Sequence, residues 1–239
     1  MTELLFQKDA YLHEHEATVV AVQGNEVALD RTCFYPGGGG QPADEGTLQA
    51  SGETFQIVGA RKDGDEVWHE LDREPPPSGT VVTLRVEWDR RYVLMRTHTA
   101  MHILCGVVWR DYGAKVTGGN MEPGQGRMDF EFEQMSAELV KEIQEKINVE
   151  VEERRPISVH FMPRAEADKH PDLIRTKVNL LPEGIETVRV VEIHDLDTQA
   201  DGGTHVSHTD EVGPIEITGY KSKGKANKRI EIKLDADIF

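Results

Sequence analysis

The chain has 239 residues, 43 acidic and 27 basic, with a formal charge of −16 at neutral pH, a balance that on its face argues against a polyanionic partner. With 38% hydrophobic and 29% charged residues, the composition excludes global disorder and low-complexity architecture. The length allows one large or two small domains whose core needs no disulfide or metal staple. The chain lacks a long uninterrupted apolar run, and its opening MTELLFQKDAYLHEHE is acidic where a secretory signal has a basic start and an apolar middle. Its two cysteines, Cys33 and Cys105, form no disulfide framework. A cytoplasmic protein with no membrane partner is the expectation.

Residues 1–88 read as short strands. EATVVAVQGNEVALD alternates around Gly24-Asn25 as a hairpin. FYPGGGGQPADEG, residues 34–46, is a loop, because no regular element tolerates four consecutive glycines flanked by prolines. TFQIVGARKDG, EVWHELD and TVVTLRVEW continue the β pattern to Trp88, so a small antiparallel β-barrel is predicted for the first domain. From Asp89 to about Arg110, Val93, Leu94, Met101, Leu104, Cys105 and Val108 recur at helical spacing. A glycine-rich link over 113–126 leads into the strand RMDFEFE. Ser136 then caps a helix with the stripe Leu139, Val140, Ile143, Ile147 and Val151, stopped before Pro156. Strands are expected at 157–162, 187–193, 213–220 and 229–234. The fold class is therefore α+β: a barrel over 1–88, then over 89–239 an α/β sandwich with helices packed on an antiparallel or mixed sheet.

On the first helix, RTHTAMHIL places His98 and His102 four residues apart on one face, the spacing by which a helix offers two ligands to one metal. Core packing with a hydrogen bond is the alternative for such a pair. Downstream, DTQADGGTHVSHTDEVG holds Asp201, His205 and His208 beside a Gly-Gly turn. A helix pair plus ligands from a loop at a strand edge is a recipe for a catalytic zinc site. The same loop also reads as a polar turn in which Asp201 caps backbone amides.

HTAMH at 98–102, GGTH at 202–205, FYPGGGGQPADEG and the terminal KSKGKANKRIEI together resemble the editing domain of alanyl-tRNA synthetases and the AlaX proteins, over nearly the whole chain and in the same order. With the glycine-rich β domain and no long C-terminal extension, the sequence is similar to the medium-length AlaX class. The resemblance implies a metal-dependent aminoacyl-tRNA hydrolase that deacylates Ser-tRNA(Ala), and Gly-tRNA(Ala) as a second substrate, with one Zn2+ per chain. It maps the ligands to His98, His102 and His205. Where the family has a cysteine just before Gly-Gly-Thr-His, this chain has Asp201, a harder donor. The expected set is three histidines with or without Asp201, binding zinc more weakly or accepting manganese, iron or nickel.

The resemblance also singles out Thr32 for recognition of the serine hydroxyl and Gln41 for lining the site. Asp201 becomes a candidate base if it is not a ligand. Thr32 reads equally as an ordinary strand residue, and the glycines as a tight turn. Lys221, Lys223, Lys225, Lys228 and Arg229 lie within nine residues and match the family's basic loop, the place for a tRNA phosphate backbone. Arg90, Arg91 and Arg96 are candidates to extend that surface. The expected partner is tRNA(Ala) charged with serine or glycine, not DNA, and the expected state is a monomer or homodimer. Competing readings are a non-catalytic or repurposed tRNA-binding module with an altered metal site, and editing of another aminoacyl-tRNA, as threonyl-tRNA synthetases do with a similar domain.

Overall fold

The computed structural model describes residues 1–174, 184–224 and 227–235. The chain divides into two compact units, Met1–Tyr92 and everything from Val93 onward.

The first unit contains β1 (Glu3–Leu4), β2 (Glu14–Gln23), β3 (Glu26–Leu29), β4 (Arg31–Thr32), β5 (Gly46–Ala50), β6 (Glu53–Asp63), β7 (Glu66–Leu71) and β8 (Val81–Val86). Six of these strands close into an antiparallel barrel in the order β2-β3-β7-β6-β5-β8, which leaves no sheet edge open for pairing. β2 serves two neighbours: Glu14–Thr18 pair with β8, and after a register shift between Val19 and Ala21 the strand pairs with β3. The alternation read from the sequence fills the interior with Val19, Leu29, Leu48, Phe55, Ile57, Leu71 and Leu84, while Thr54, Gln56 and Val58 of β6 face outward. Gly46 is required where β5 passes β8, since a Cβ there would run into the Arg85 carbonyl and lie 2.9 Å from the Phe34 ring.

The four-glycine loop has a definite conformation. Gly37, Gly38, Gly39 and Gly40 take φ of 82, 128, 58 and 91°, values that other L-residues rarely adopt. Its neck is closed by Asp44 N–H donating to Tyr35 O at 2.9 Å and Tyr35 N–H donating to the Asp44 carboxylate at 2.6 Å. The same carboxylate receives Arg91, whose Nε lies 2.9 Å from Asp44 Oδ1 and whose Nη2 also contacts Oδ2. Arg91 donates further to Cys33 O at 2.7 Å and Ala10 O at 3.0 Å. Both charged groups are wholly inside the protein, and each is satisfied by charge-assisted hydrogen bonds.

That arrangement corrects the expectation that Arg91 and Arg96 extend a nucleic-acid surface. Arg96 is also fully buried and donates to Val212 O and Asp235 O, each at 2.9 Å. Arg90 donates to Ala43 O and pairs with Glu45. These guanidiniums cross-link backbone segments instead of facing a ligand.

α1 (Trp88–Tyr112) opens the next part of the chain, followed by β9 (Val116–Glu122), β10 (Gln125–Phe130), α2 (Ala137–Glu152), β11 (Ile157–Pro163), α3 (Arg164–Ala167), β12 (Thr187–Ile193), β13 (Asp197–Ala200), β14 (Ile215–Gly224) and β15 (Asn227–Leu234). From Val93 to Val108 every residue of α1 is buried, the mark of a core helix and not a surface one. Two antiparallel sheets, β14-β15-β10-β9 and β11-β12-β13, complete the described architecture, so the mixed-sheet option falls away among the described residues. α2 is capped by Ser136, whose Oγ accepts from Leu139 N–H. It docks on β14 through Asn148 Nδ2 to Ile215 O at 2.8 Å and Ile217 N–H to Gln144 Oε1 at 2.8 Å.

The link expected over 113–126 is instead the β9–β10 hairpin. Its glycines do not break the strands; they make room for α1, since a Cβ on Gly126 would lie 3.0 Å from Met101 Cγ and one on Gly119 would lie 3.3 Å from Met101 Cε. β13, only four residues long, was too short for its periodicity to be read.

Arg91→Met should lower stability in urea denaturation by about 3–5 kcal/mol, because Asp44 is left buried without its counter-charge. A loss below about 1 kcal/mol would mean the pair contributes no more than an exposed one.

Candidate metal centre

α1 presents His98 and His102 one turn apart, and the loop after β13 brings up Asp201 and His205. One ligand atom from each of the four lies within 4.8 Å of every other. The rings are packed together: His98 stacks on His205 with centroids 4.2 Å apart, and His102 stands edge-on to both at 5.0 and 4.6 Å. The three imidazoles are almost completely buried.

Three of the four groups are held by hydrogen bonds from outside the cluster. Asp201 accepts Gly203 N–H at 2.7 Å on Oδ2, and Arg189 donates to its carbonyl at 2.9 Å. Its carboxylate lies 3.1 Å from His205 Nε2 and 3.6 Å from His98 Nε2. His205 Nδ1 meets the Thr99 hydroxyl at 3.1 Å, and His102 Nδ1 meets Asp197 Oδ2 at 3.2 Å. His98 Nδ1 is buried with no hydrogen-bond partner.

The electrostatics follow from crowding. Burial pushes His98 well below the usual imidazole range, with the other two rings adding to it, and holds His205 down at about 4. His102 moves the other way: burial opposes its charge, but the Asp197 hydrogen bond and the two nearby carboxylates outweigh it. Asp201 is drawn well below the carboxylate range, since the three histidines overcome its own burial. Near neutral pH the centre therefore offers neutral rings at 98 and 205 and an ionised carboxylate, the protonation states in which these groups coordinate a cation. Three imidazole nitrogens and one carboxylate oxygen, converging in a buried space, fit a divalent metal of the borderline kind.

His208, which shares the segment with His205, is outside the cluster: it is exposed and caps the turn Thr209–Val212. Thr32 lies in the other unit with no exposed surface. Its hydroxyl meets His69 Nε2 at 2.8 Å and accepts Phe34 N–H at 3.0 Å, so both its donor and its acceptor have protein partners. Gln41 is also buried and closes the glycine loop, exchanging backbone hydrogen bonds with Gly38 at 2.9 and 3.1 Å. Cys33 is inert as a nucleophile, its thiol pushed up to about 12 by burial, and Cys105 lies on the buried helix.

In the basic segment, Lys221 pairs with Glu231 at 2.5 Å and Arg229 forks onto Asp129 at 2.6 and 2.8 Å. Lys228 is buried, donating to Gly224 O at 2.9 Å. Lys223 lies in the backbone of β14, and Lys225 falls outside the described residues, as does Ala226. Reading the sequence missed Thr99, Arg189, Asp197 and Gln199. Only Thr99 carried a signal, lying between the two helix histidines.

Two segments match known families. Residues 6–90 match class II (A) tRNA synthetases, and residues 188–231 match the threonyl and alanyl tRNA synthetase second additional domain. The barrel and the segment that carries Asp201 and His205 thus each match part of a tRNA synthetase. The alanyl-tRNA editing protein AlaX-M of Saccharolobus solfataricus is 39% identical over 96% of this chain and 98% of its own length. That of Methanosarcina barkeri is 36% identical over 98% and 99%. The alanine–tRNA ligase of Ignicoccus hospitalis is 37% identical over 96% of this chain and 26% of the ligase. The chain belongs to the AlaX-M family of alanyl-tRNA editing proteins.

His69 provides a titration test away from the metal centre. Burial holds its ring at about 4 against an ordinary 6.5, so the unfolded chain takes up this proton first as the medium is acidified. Its contribution is complete above pH 6.5 and is lost as pH falls toward 4, on the order of 3 kcal/mol in all. The difference in urea stability between the parent and His69→Gln should shrink by that order over this window, and a pH-independent difference would contradict the assignment.

Proposed function

We propose that the chain is a trans-editing hydrolase that removes serine, and secondarily glycine, from mischarged tRNA(Ala), with one Zn2+ held by His98, His102, Asp201 and His205. The observation that carries this reading is the convergence of those four donor groups within 4.8 Å in a chain of the AlaX-M family. The need for such an activity is physical: a synthetic site that admits alanine cannot strongly reject the smaller glycine or a serine that adds only a hydroxyl, so a second, hydrolytic sieve is required. A bound metal supplies Lewis-acid polarisation or a fixed point for the substrate's amino group. The protein's part is to orient the ester and keep the donors deprotonated. Asp201 serves as a ligand and not as a base, because Gly203 N–H and Arg189 fix it among the histidines.

Gln41 and Thr32 belong to the glycine-loop region that the reading assigns to substrate selection. With its hydroxyl already bonded to His69, Thr32 acts by holding β4 and the loop in place as much as by direct contact. The partner is tRNA(Ala) in the cytoplasm, and the working species is a monomer or a homodimer. Lys221, Lys223, Lys225, Lys228 and Arg229 form the tRNA-facing segment. Lys221, Lys228 and Arg229 have intramolecular partners, which keeps the phosphate footprint small and the salt slope correspondingly shallow.

Deacylation of Ser-, Gly- and Ala-tRNA(Ala), with and without a chelator, tests substrate and metal together. Serine should be released fastest, alanine at no more than the spontaneous rate, and chelation should abolish the activity. Chelator-insensitive hydrolysis, or none with any of the three, would refute the reading. In the same assay Thr32→Val should lower serine release more than glycine release if the hydroxyl reads the substrate; equal loss assigns Thr32 to the barrel alone. Lys223→Ala combined with Lys225→Ala should weaken tRNA binding and reduce the salt slope by about 2, an effect absent if neither lysine meets phosphate.

A further inference from the structure

The three histidines of the centre differ in what lies behind them. His98 Nδ1 has no hydrogen-bond partner, and His205 Nδ1 faces the neutral Thr99 hydroxyl, which also receives Val206 N–H at 3.3 Å. His102 alone has a carboxylate at its Nδ1, that of Asp197, 3.2 Å away. Asp197 is buried, and its Oδ2 also accepts Gln199 Nε2 at 2.6 Å. Gln199 Nε2 also lies 3.5 Å from His102 Nδ1, but it donates to Asp197 at 2.6 Å, and the closer carboxylate, which when ionised only accepts, favours the ring proton of a neutral His102 on Nδ1, leaving the Nε2 lone pair for the cluster.

The backbone is arranged to permit this contact. His98, His102 and Gly106 follow one another at four-residue steps on one face of α1. At Gly106 the helix runs against the turn into β13 so closely that an added Cβ would lie 2.9 Å from Leu196 Cγ, 3.0 Å from Asp197 Cβ and 3.1 Å from Leu196 O. At separations that short Leu196 must shift and Asp197 must give way by a few tenths of an ångström. The glycine lets Asp197 approach the helix one turn beyond the histidine it contacts.

We infer that Asp197 is a positioning residue for the metal centre, locking His102 as the Nδ1-protonated tautomer with Nε2 presented to the ion, and that Gly106 is the feature of α1 that lets it do so. The inference rests on the metal reading above. It goes further in making the site's affinity depend on a residue that is not a ligand, and in ranking the three histidines: His102 is held by charge, His205 by a hydroxyl, and His98 by packing alone.

Two readouts test it on the intact protein. Long-range proton–nitrogen correlation NMR of the metal-free parent, at alkaline pH where the ring is neutral, should show His102 protonated at Nδ1. In Asp197→Asn, which keeps volume and shape, the ring should become a tautomer mixture. Zn2+ titration against a chromophoric chelator should show affinity falling roughly 10- to 100-fold in Asp197→Asn and far less in Thr99→Val. The visible spectrum of the Co2+ form should shift only in the former. An Nε2-protonated His102 in the parent, or Asp197→Asn binding Zn2+ like the parent, would overturn the inference. If the parent binds no Zn2+ at all, the metal reading fails, and the tautomer measurement still decides whether Asp197 sets the ring.

Discussion

Three imidazoles and a carboxylate packed into one buried space constrain everything around them. Rings with centroids 4.2–5.0 Å apart gain little from one another, and the Nε2 atoms of His98 and His205 face a single aspartate. Such a cluster is costly unless a cation joins it or the groups around it hold it in place. The surroundings supply the second: Thr99 and Asp197 hold two of the rings, Gly203 N–H holds the Asp201 carboxylate and Arg189 holds its carbonyl. The long core helix, buried from Val93 to Val108, delivers two of the four donors to the interior.

Much of this was legible in the sequence for identifiable reasons. A closed barrel with one apolar face alternates with period two, and that alternation was present in β2, β6 and β8. The helix pair and the Gly-Gly-Thr-His loop are local patterns, so spacing revealed them. What the sequence concealed was long-range and one-sided. Asp197 reads as one more acid in an acidic chain until α1 is seen to pass it at Gly106, 91 positions earlier in the sequence. Arg91 and Arg96 read as surface cations because arginine usually is one; their carbonyl and carboxylate partners are distant in sequence. The glycines at 119 and 126 suggested a link because nothing local shows that Met101 fills the space above them.

Charge followed the same pattern. The net −16 averages over surfaces that no tRNA need touch, yet the local basic segment is less positive than its composition suggests, since Glu231 and Asp129 neutralise two of its five cations.

Asp201 is where the chain departs from the pattern it otherwise resembles, with a carboxylate in the place of a thiolate. Its position among the histidines places a carboxylate oxygen, a harder donor than a thiolate, where it could hold a metal with them. The most direct test of this account is the metal content of the purified protein by elemental analysis, compared with Asp201→Ala and Asp201→Cys. The account predicts one equivalent of a divalent metal per chain in the parent, a marked loss in Asp201→Ala and retention in Asp201→Cys. Absence of metal from all three, with deacylation intact, would contradict it.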